Sequence, residues 1–211
     1  MENIKNLFTD TYNLNSWGGG ESKSGTGSYL SHTESIRKFL VNFIKENNIK
    51  KIFDCSCGDW NWMKEIKENF VDYLGNDVVE MIVQNNNEKY SSDNIKFICG
   101  DLIDTLSKFE DYHFDLIICR HTLEHLPTDY VKKSLEIISK KSNYAFITNS
   151  TLNDNVELNE FNGVSARGIN LNLPPYNNIL PKRFTSFWDT VGINNSIDDN
   201  AVENLMYVFK L

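Results

Sequence analysis

The chain has 211 residues, 40% of them hydrophobic and 24% charged, the balance of one soluble globular domain with a core of ordinary size. Its net charge of −8 works against general electrostatic binding to duplex DNA or an anionic membrane. No apolar run approaches the ~20 residues of a membrane span. The start, Met1-Glu-Asn-Ile-Lys, lacks the apolar core of a signal peptide, so the expected location is the cytoplasm.

Residues 1–31 are polar and irregular, with a short helical pattern from Ile4 to Tyr12. Within them Trp17-Gly-Gly-Gly-Glu-Ser-Lys-Ser-Gly-Thr-Gly-Ser28 interleaves glycine with serine. Such a stretch reads equally as a linker or as backbone that approaches an anionic ligand closely. Thr33 is a plausible N-cap for a helix carrying Ile36, Phe39, Leu40, Phe43 and Ile44 on one face. The first strand, 51–55, is followed by a helix from Trp60 to Asn69 and a second strand at 73–76. A helical pattern spans Val78 to Lys89. A third strand covers 95–99 and a fourth 114–119. Thr128 caps a helix to Ser139, and a fifth strand covers 144–149. This alternation predicts a parallel sheet with helices on both faces. Residues 151–183 hold three of the four prolines and no sustained period, and loops of this length tend to be functional. Thr185–Thr190 and Ala201–Leu211 read as late strands.

Cys55, Cys57, Cys99 and Cys119 each lie in or just after a predicted buried strand, which reads as reduced packing residues. Their spacing is unlike that of a zinc site, and His32, His113, His121 and His125 have no convincing ligand spacing with acids, so no metal is expected.

The polar residues that close the strands share one edge. Asp54 closes the first strand. Asp77 closes the second about twenty residues on, where a carboxylate accepts both hydroxyls of a ribose. Asp101 closes the third and can accept from an adenine amine. Arg120 and His121 close the fourth. The commonest role of a single acid at a strand end is a turn or helix cap. In the first turn, Cys55-Ser-Cys-Gly-Asp-Trp60, a single glycine remains, and Asp59 would repel a pyrophosphate. A nicotinamide dinucleotide therefore fits poorly and a cationic sulfonium fits better.

At these residues the chain resembles the class I S-adenosylmethionine-dependent methyltransferases. Their acid-x-Gly-x-Gly-x-Gly motif maps onto Asp54, Ser56, Gly58 and Trp60, with two of three glycines replaced. The resemblance is closer to a small-molecule or sugar-type subgroup. Its Tyr-x-x-Asn-x-Trp-Gly and Glu-Ser-x-Ser-Gly-x-Gly-Ser are matched by Tyr12, Asn15, Trp17, Gly18 and Glu21–Ser28. Its Asp-x-x-Cys-Gly-Asp-x-x-Trp-Met is matched by Asp54–Met63. Its Tyr-x-Gly-x-Asp falls on Tyr73–Asp77 and its Cys-Arg-x-x-Leu-x-His-Leu on Cys119–Leu126. A late Arg-x-Ile-Asn-Leu-x-x-x-Pro-Tyr-Asn falls on Arg167–Asn177. At 121 the chain departs from the subgroup's acid and carries His121.

The resemblance implies an α/β fold: a Rossmann-like, seven-stranded, mostly parallel sheet with helices on both faces and an antiparallel last strand. Residues 1–211 would form one methyltransferase domain, with 1–31 as an N-terminal lid and 151–183 as a substrate loop region. S-adenosyl-L-methionine is the implied cofactor. Its implied contacts are Trp17, Ser24, Gly25, Gly27 and Ser28 from the lid, and Asp54, Cys55, Cys57, Gly58 and Trp60 from the first turn. Asp77, Asp101, Leu102, Cys119 and Arg120 complete the set.

The activity implied is methyl transfer to a hydroxyl or amine of a sugar or other small metabolite. A hydroxyl acceptor needs a base as its proton leaves, and neutral histidine has a suitable pKa range. His121 is the first choice, with Asp59 and Glu124 carried as further catalytic candidates. Glu124 reads by default as a solvated acid; His125 is a further candidate base, with a structural capping role as its equal alternative. Glu21, Arg167, Asn170 and Tyr176 are assigned to substrate, Tyr176 offering a stacking face; ordinary loop packing is the plainer reading of the last three. The expected partner is a small acceptor, a sugar or sugar nucleotide. Leu173-Pro-Pro-Tyr176 resembles the (Asp/Asn)-Pro-Pro-Tyr of amino-methylating DNA enzymes, but it follows the fifth strand and begins with leucine. Nucleic acid is thus disfavoured. Competing readings are a methyltransferase with a protein or RNA acceptor, separable by an open basic groove, and a non-catalytic interaction module of the same fold.

Overall fold

The computed structural model describes residues 2–161, 166–183, 185–188 and 204–211. The run Leu116-Ile-Ile-Cys119 shows why the sheet has two covered faces. It is apolar without alternation, which suits a strand buried on both sides. Leu116 and Ile118 pack with Ile36, Leu40 and Phe43 on one face. Ile117 and Cys119 pack with Val131, Leu135 and Ile138 on the other. Successive side chains alternate across a strand, so one short run feeds both cores. Ile117 is fully buried, and truncating it to alanine is expected to cost ~2–5 kcal/mol of stability.

In chain order the elements are α1 (Glu2–Asn13), α2 (Glu34–Glu46), β1 (Lys51–Cys55), β2 (Asp72–Asp77), α3 (Glu80–Tyr90), β3 (Ile95–Cys99), α4 (Leu102–Ser107), β4 (Phe114–Cys119), α5 (Thr128–Lys141), β5 (Ser142–Ser150), β6 (Thr185–Trp188) and β7 (Asn204–Lys210). Short 3-10 turns span Thr26–Ser28, Met63–Asn69 and Leu123–His125. The seven-stranded sheet has the order β3-β2-β1-β4-β5-β7-β6. The first five strands pair in parallel, and β7 is antiparallel to both β5 and β6. This is the expected mostly parallel α/β sheet. Asp54, Asp77, Arg120 and His121 come to one edge because β1, β2 and β4 run parallel.

Several local expectations change. The helix expected from Trp60 is a 3-10 turn beginning at Met63, because Trp60 takes a left-handed φ of 57°. α3 begins at Glu80 rather than Val78. Thr33 precedes α2, but its hydroxyl donates to the carbonyls of Tyr29 and Leu30 instead of capping. Thr128 is the first residue of α5, and its hydroxyl accepts from the Leu158 N–H, tying the following loop to the helix. α4 is an element that the hydrophobic pattern does not show. Of the late strands, residues 189–190 and 201–203 lie outside the described residues. All four cysteines are free; Cys55, Cys57 and Cys119 are buried, whereas Cys99 is exposed. Among the described residues no helix is long and apolar enough to cross a membrane.

Candidate functional site

The strand tips open into a cleft of about 330 Å³, at the small end of ligand sites. Its β1–β2–β3 side is built from three carboxylates. Asp54 is 4% exposed and accepts the Tyr73 hydroxyl at 2.5 Å; the Trp60 indole N–H in turn donates to Tyr73 at 2.8 Å. Burial pushes Asp54 up to about 7, against the pull of the Tyr73 bond and the Arg120 charge. Asp77 ends β2 and accepts from the backbone N–H of Gly58 and of Val79, each at 3.0 Å. Burial pushes it up to about 6. Asp101 caps α4, one oxygen accepting from the N–H of Ile103 at 2.9 Å and of Asp104 at 3.2 Å. Its other oxygen accepts the Tyr130 hydroxyl.

A carboxylate offers roughly four lone-pair positions. Asp77 has therefore about two left, one per oxygen, which suits two neighbouring ribose hydroxyls, and Asp101 has about one left for an amine. Asp54, with the rings of Tyr12 and Trp17 on the same cleft, suits cationic groups. This donor set fits the S-adenosylmethionine that the motifs imply.

The roof is the N-terminal segment. Ile4, Phe8 and Tyr12 of α1 face the cleft with Trp17, Ser24, Gly25, Gly27 and Ser28. Phe8, Tyr12, Trp17 and His125 form an aromatic wall with ring centroids 5.3–6.0 Å apart. Asp59 holds this roof down. It accepts from the Ser22 hydroxyl at 2.9 Å, the Lys23 N–H at 2.9 Å and the Ser24 hydroxyl at 3.0 Å. Glu21 accepts from the Leu30 N–H and the Asn61 amide, both at 2.7 Å. Gly58 must be glycine here: its φ is +56°, and a Cβ would lie 2.4 Å from Ser24 Oγ.

The β4 side is different in kind. Arg120 donates to the Gly27 carbonyl at 2.8 Å and lies over the Trp62 ring. His121 adopts a left-handed φ of 51°, and its N–H donates to the Thr148 hydroxyl at 2.9 Å. That twist carries its ring under Gly27 and back to Glu124, with Nδ1 2.7 Å from Oε1. Burial would raise the Glu124 carboxyl, but the charges of His121 and His125 and the His121 bond outweigh it and hold the group below its ordinary value. An ionised carboxylate only accepts, so Nδ1 carries the proton and the basic lone pair of neutral His121 is on Nε2.

The structure thus brings to the cleft Trp17, Ser24, Gly25, Gly27, Ser28, Asp54, Cys57, Gly58, Asp77, Asp101, Leu102, Arg120, His121 and Glu124. It does not bring Cys55, Trp60 or Cys119, which lie buried beneath the cleft floor and wall. Asp59 and Glu21 also lie outside, turned into the roof segment. Glu124 is only 14% exposed, not a solvated acid. Asn170 is engaged within its own loop, donating to the Leu152 carbonyl and accepting from the Asn172 N–H. Tyr176 is 1% exposed in the α5-side core and offers no stacking face. Arg167 borders a second cavity beside Glu124. Tyr12, Trp62, His125 and Tyr130 line the cleft as well; the first three lie within the motifs matched at Tyr12–Gly18, Asp54–Met63 and Cys119–Leu126, whereas Tyr130 comes from a helix face with no local motif.

Residues 53–140 match the family model described as a methyltransferase domain. No curated protein matches the chain. Among solved structures, a S-adenosylmethionine-dependent methyltransferase from Clostridium acetobutylicum is 15% identical, covers 83% of this chain and 90% of its own, and superposes with a TM-score of 0.60. Magnesium protoporphyrin IX methyltransferase from Synechocystis, solved with bound SAM, is 12% identical over 99% of this chain and 95% of its own, with a TM-score of 0.64. The methyltransferase domain of bacterial CtHen1 is 14% identical over 84% and 98%, with a TM-score of 0.55. At such identities the likeness is one of fold.

Proposed function

We propose that this S-adenosylmethionine-dependent methyltransferase transfers its methyl group to a hydroxyl or amine of a sugar or other small metabolite, with His121 as the base. The observation that carries the reading is the His121–Glu124 pair, 2.7 Å apart, under a roof that is already latched. Bound S-adenosylmethionine supplies an electrophilic methyl group on a cationic sulfonium. The chain's own residues do the rest. Asp77 and Asp101 orient the nucleoside by their remaining lone pairs. The Tyr12 and Trp17 rings and Asp54 favour positive charge. Residues 17–30 exclude water, which aligns acceptor and methyl group and suppresses hydrolysis. Nε2 of His121 takes the acceptor proton, and Glu124 stabilises the imidazolium that forms. A cleft of this size, roofed in part by residues 17–30, favours a small acceptor over a protein or RNA surface.

In this reading residues 1–211 work as one domain, 1–31 as its lid and 151–183 as the acceptor-side region. Four free cysteines suit the reducing cytoplasm. The test is calorimetric titration with S-adenosylhomocysteine, beside an Asp77→Ala variant and an NADH control. Binding by the parent, strongly weakened in the variant and absent with NADH, is the expected result. A folded parent that binds no S-adenosylhomocysteine sinks the reading. Methyl transfer is then screened on sugars and sugar nucleotides.

A further inference from the structure

Behind Glu124, away from the cleft, lies a second cavity of about 170 Å³, sharing only Glu124 and Ala166 with the first. Its walls include Thr148 and Ser150 at the tip of β5, and Arg167. Two buried polar atoms on these residues have no hydrogen-bond partner: Ser150 Oγ and Arg167 Nε. Ser150 is 2% exposed, and a buried polar group left without a partner is costly, more so when it is charged. The guanidinium is rigidly held. Nη1 donates to the Leu126 carbonyl at 2.6 Å, and Nη2 to the Tyr176 hydroxyl at 3.4 Å. Both acceptors are neutral. Among the described residues Arg167 has no carboxylate partner, and Glu124, the nearest acid in the wall, is committed to His121. A fixed cation and a hydroxyl, both with hydrogen-bonding capacity unspent, are the donor set for an oxyanion.

We propose that this cavity is the anchoring subsite for the acceptor, and that it takes a carboxylate or phosphate group carried by that small molecule through Arg167 Nε–H and the Ser150 hydroxyl. The proposal rests on methyl transfer at His121: an anchor behind Glu124 leaves the rest of the acceptor to pass Ala166 toward the imidazole. It narrows the acceptor from any sugar or metabolite to one that bears an acid. Ser150 engages by turning about its side-chain bond, a small rearrangement that an unpaired hydroxyl does not resist.

The test uses the ¹⁵N-labelled full chain, saturated with S-adenosylhomocysteine. The Arg167 Nε–H resonance is identified by its loss in Arg167→Lys, whose remaining spectrum reports folding. Acetate and inorganic phosphate are titrated separately, with chloride at matched ionic strength. A saturable shift of that resonance with acetate or phosphate but not chloride is expected. Which anion binds tighter tells carboxylate from phosphate. Ser150→Ala is expected to weaken the response about tenfold and to leave S-adenosylhomocysteine affinity unchanged. A resonance unmoved by both anions, or moved equally by chloride, overturns the proposal. Failure to bind S-adenosylhomocysteine would instead strike the methyltransferase reading, and the anion titration could still be read on the unliganded chain.

Discussion

The two sides of the cleft are made by different means. On the β1–β2–β3 side, Asp77 and Asp101 are held by backbone N–H groups no more than about twenty residues away, most of them in the very next turn. On the β4–β5 side, His121 pairs with Glu124 three residues on and donates its N–H to the Thr148 hydroxyl 27 residues on, while Arg167 reaches back 41 residues to the Leu126 carbonyl. The two sides also titrate in opposite directions. Burial raises Asp54 and Asp77, whereas the neighbouring histidines lower Glu124. On the first side burial dominates the shifts of Asp54 and Asp77. On the second side the histidines beside Glu124 outweigh its burial.

The sharpest way to break this comparison is to remove the proposed base while keeping the proposed cofactor side whole. His121→Gln is expected to lower the methyl-transfer rate about 10²–10⁴-fold, with S-adenosylhomocysteine affinity nearly unchanged by calorimetry. Equal losses in both would mean that the two sides are one unit. The roof should behave as part of the cofactor side. Asp59→Asn weakens the latch on Ser22, Lys23 and Ser24 and is expected to cost about tenfold in S-adenosylhomocysteine affinity. Lys23 is already exposed, and trypsin should cut there faster in this variant, with protection returning on ligand addition.

The smallest effects are in stability against pH, and there the two sides should part. Asp54 ionises less readily in the folded chain. Its contribution is fully present at acid pH, declines as pH rises above the ordinary 3.8, and is gone by about 7. Asp54→Asn should therefore raise the melting temperature of the unliganded protein at pH 8 and change it little at pH 4. Glu124, held below its ordinary value, contributes at neutral pH and loses that contribution as pH falls through its folded pKa. Glu124→Gln should lower the melting temperature at pH 7 and matter less in acid, by about 1–3 kcal/mol at most. Shifts of the same sign for both variants would end the distinction.

The same division decides what the sequence reveals. β1, β3 and β4 lie at 51–55, 95–99 and 114–119 as the apolar runs and their polar ends indicate. Asp54, Asp77 and Asp101 reach the cleft because a strand end followed by a tight turn is a local property. α4 escapes notice because six residues are too few for a helical period, although Asp101 is a capping signal in its own right. Tyr130 reaches the cleft through tertiary packing, which leaves no spacing to read, whereas Tyr12 and Trp62 lie within matched motifs that do not by themselves tell which way their rings face. Tyr176 is misjudged for a related reason: its loop has no period, yet its ring fills the α5-side core. The latch role of Asp59 is equally hidden, since its partners lie 35–37 residues upstream.

The left-handed backbone at His121 sets a limit on how this protein can change. A φ of 51° is a conformation that glycine accepts more cheaply than histidine does. A population selected for stability alone would be expected to drift toward glycine at this position, and, with His121 the base as proposed, the drifted chain would fold well and lose about 10²–10⁴-fold in methyl-transfer rate. Position 121 is thus where an evolving library would show whether it is being scored for folding or for chemistry.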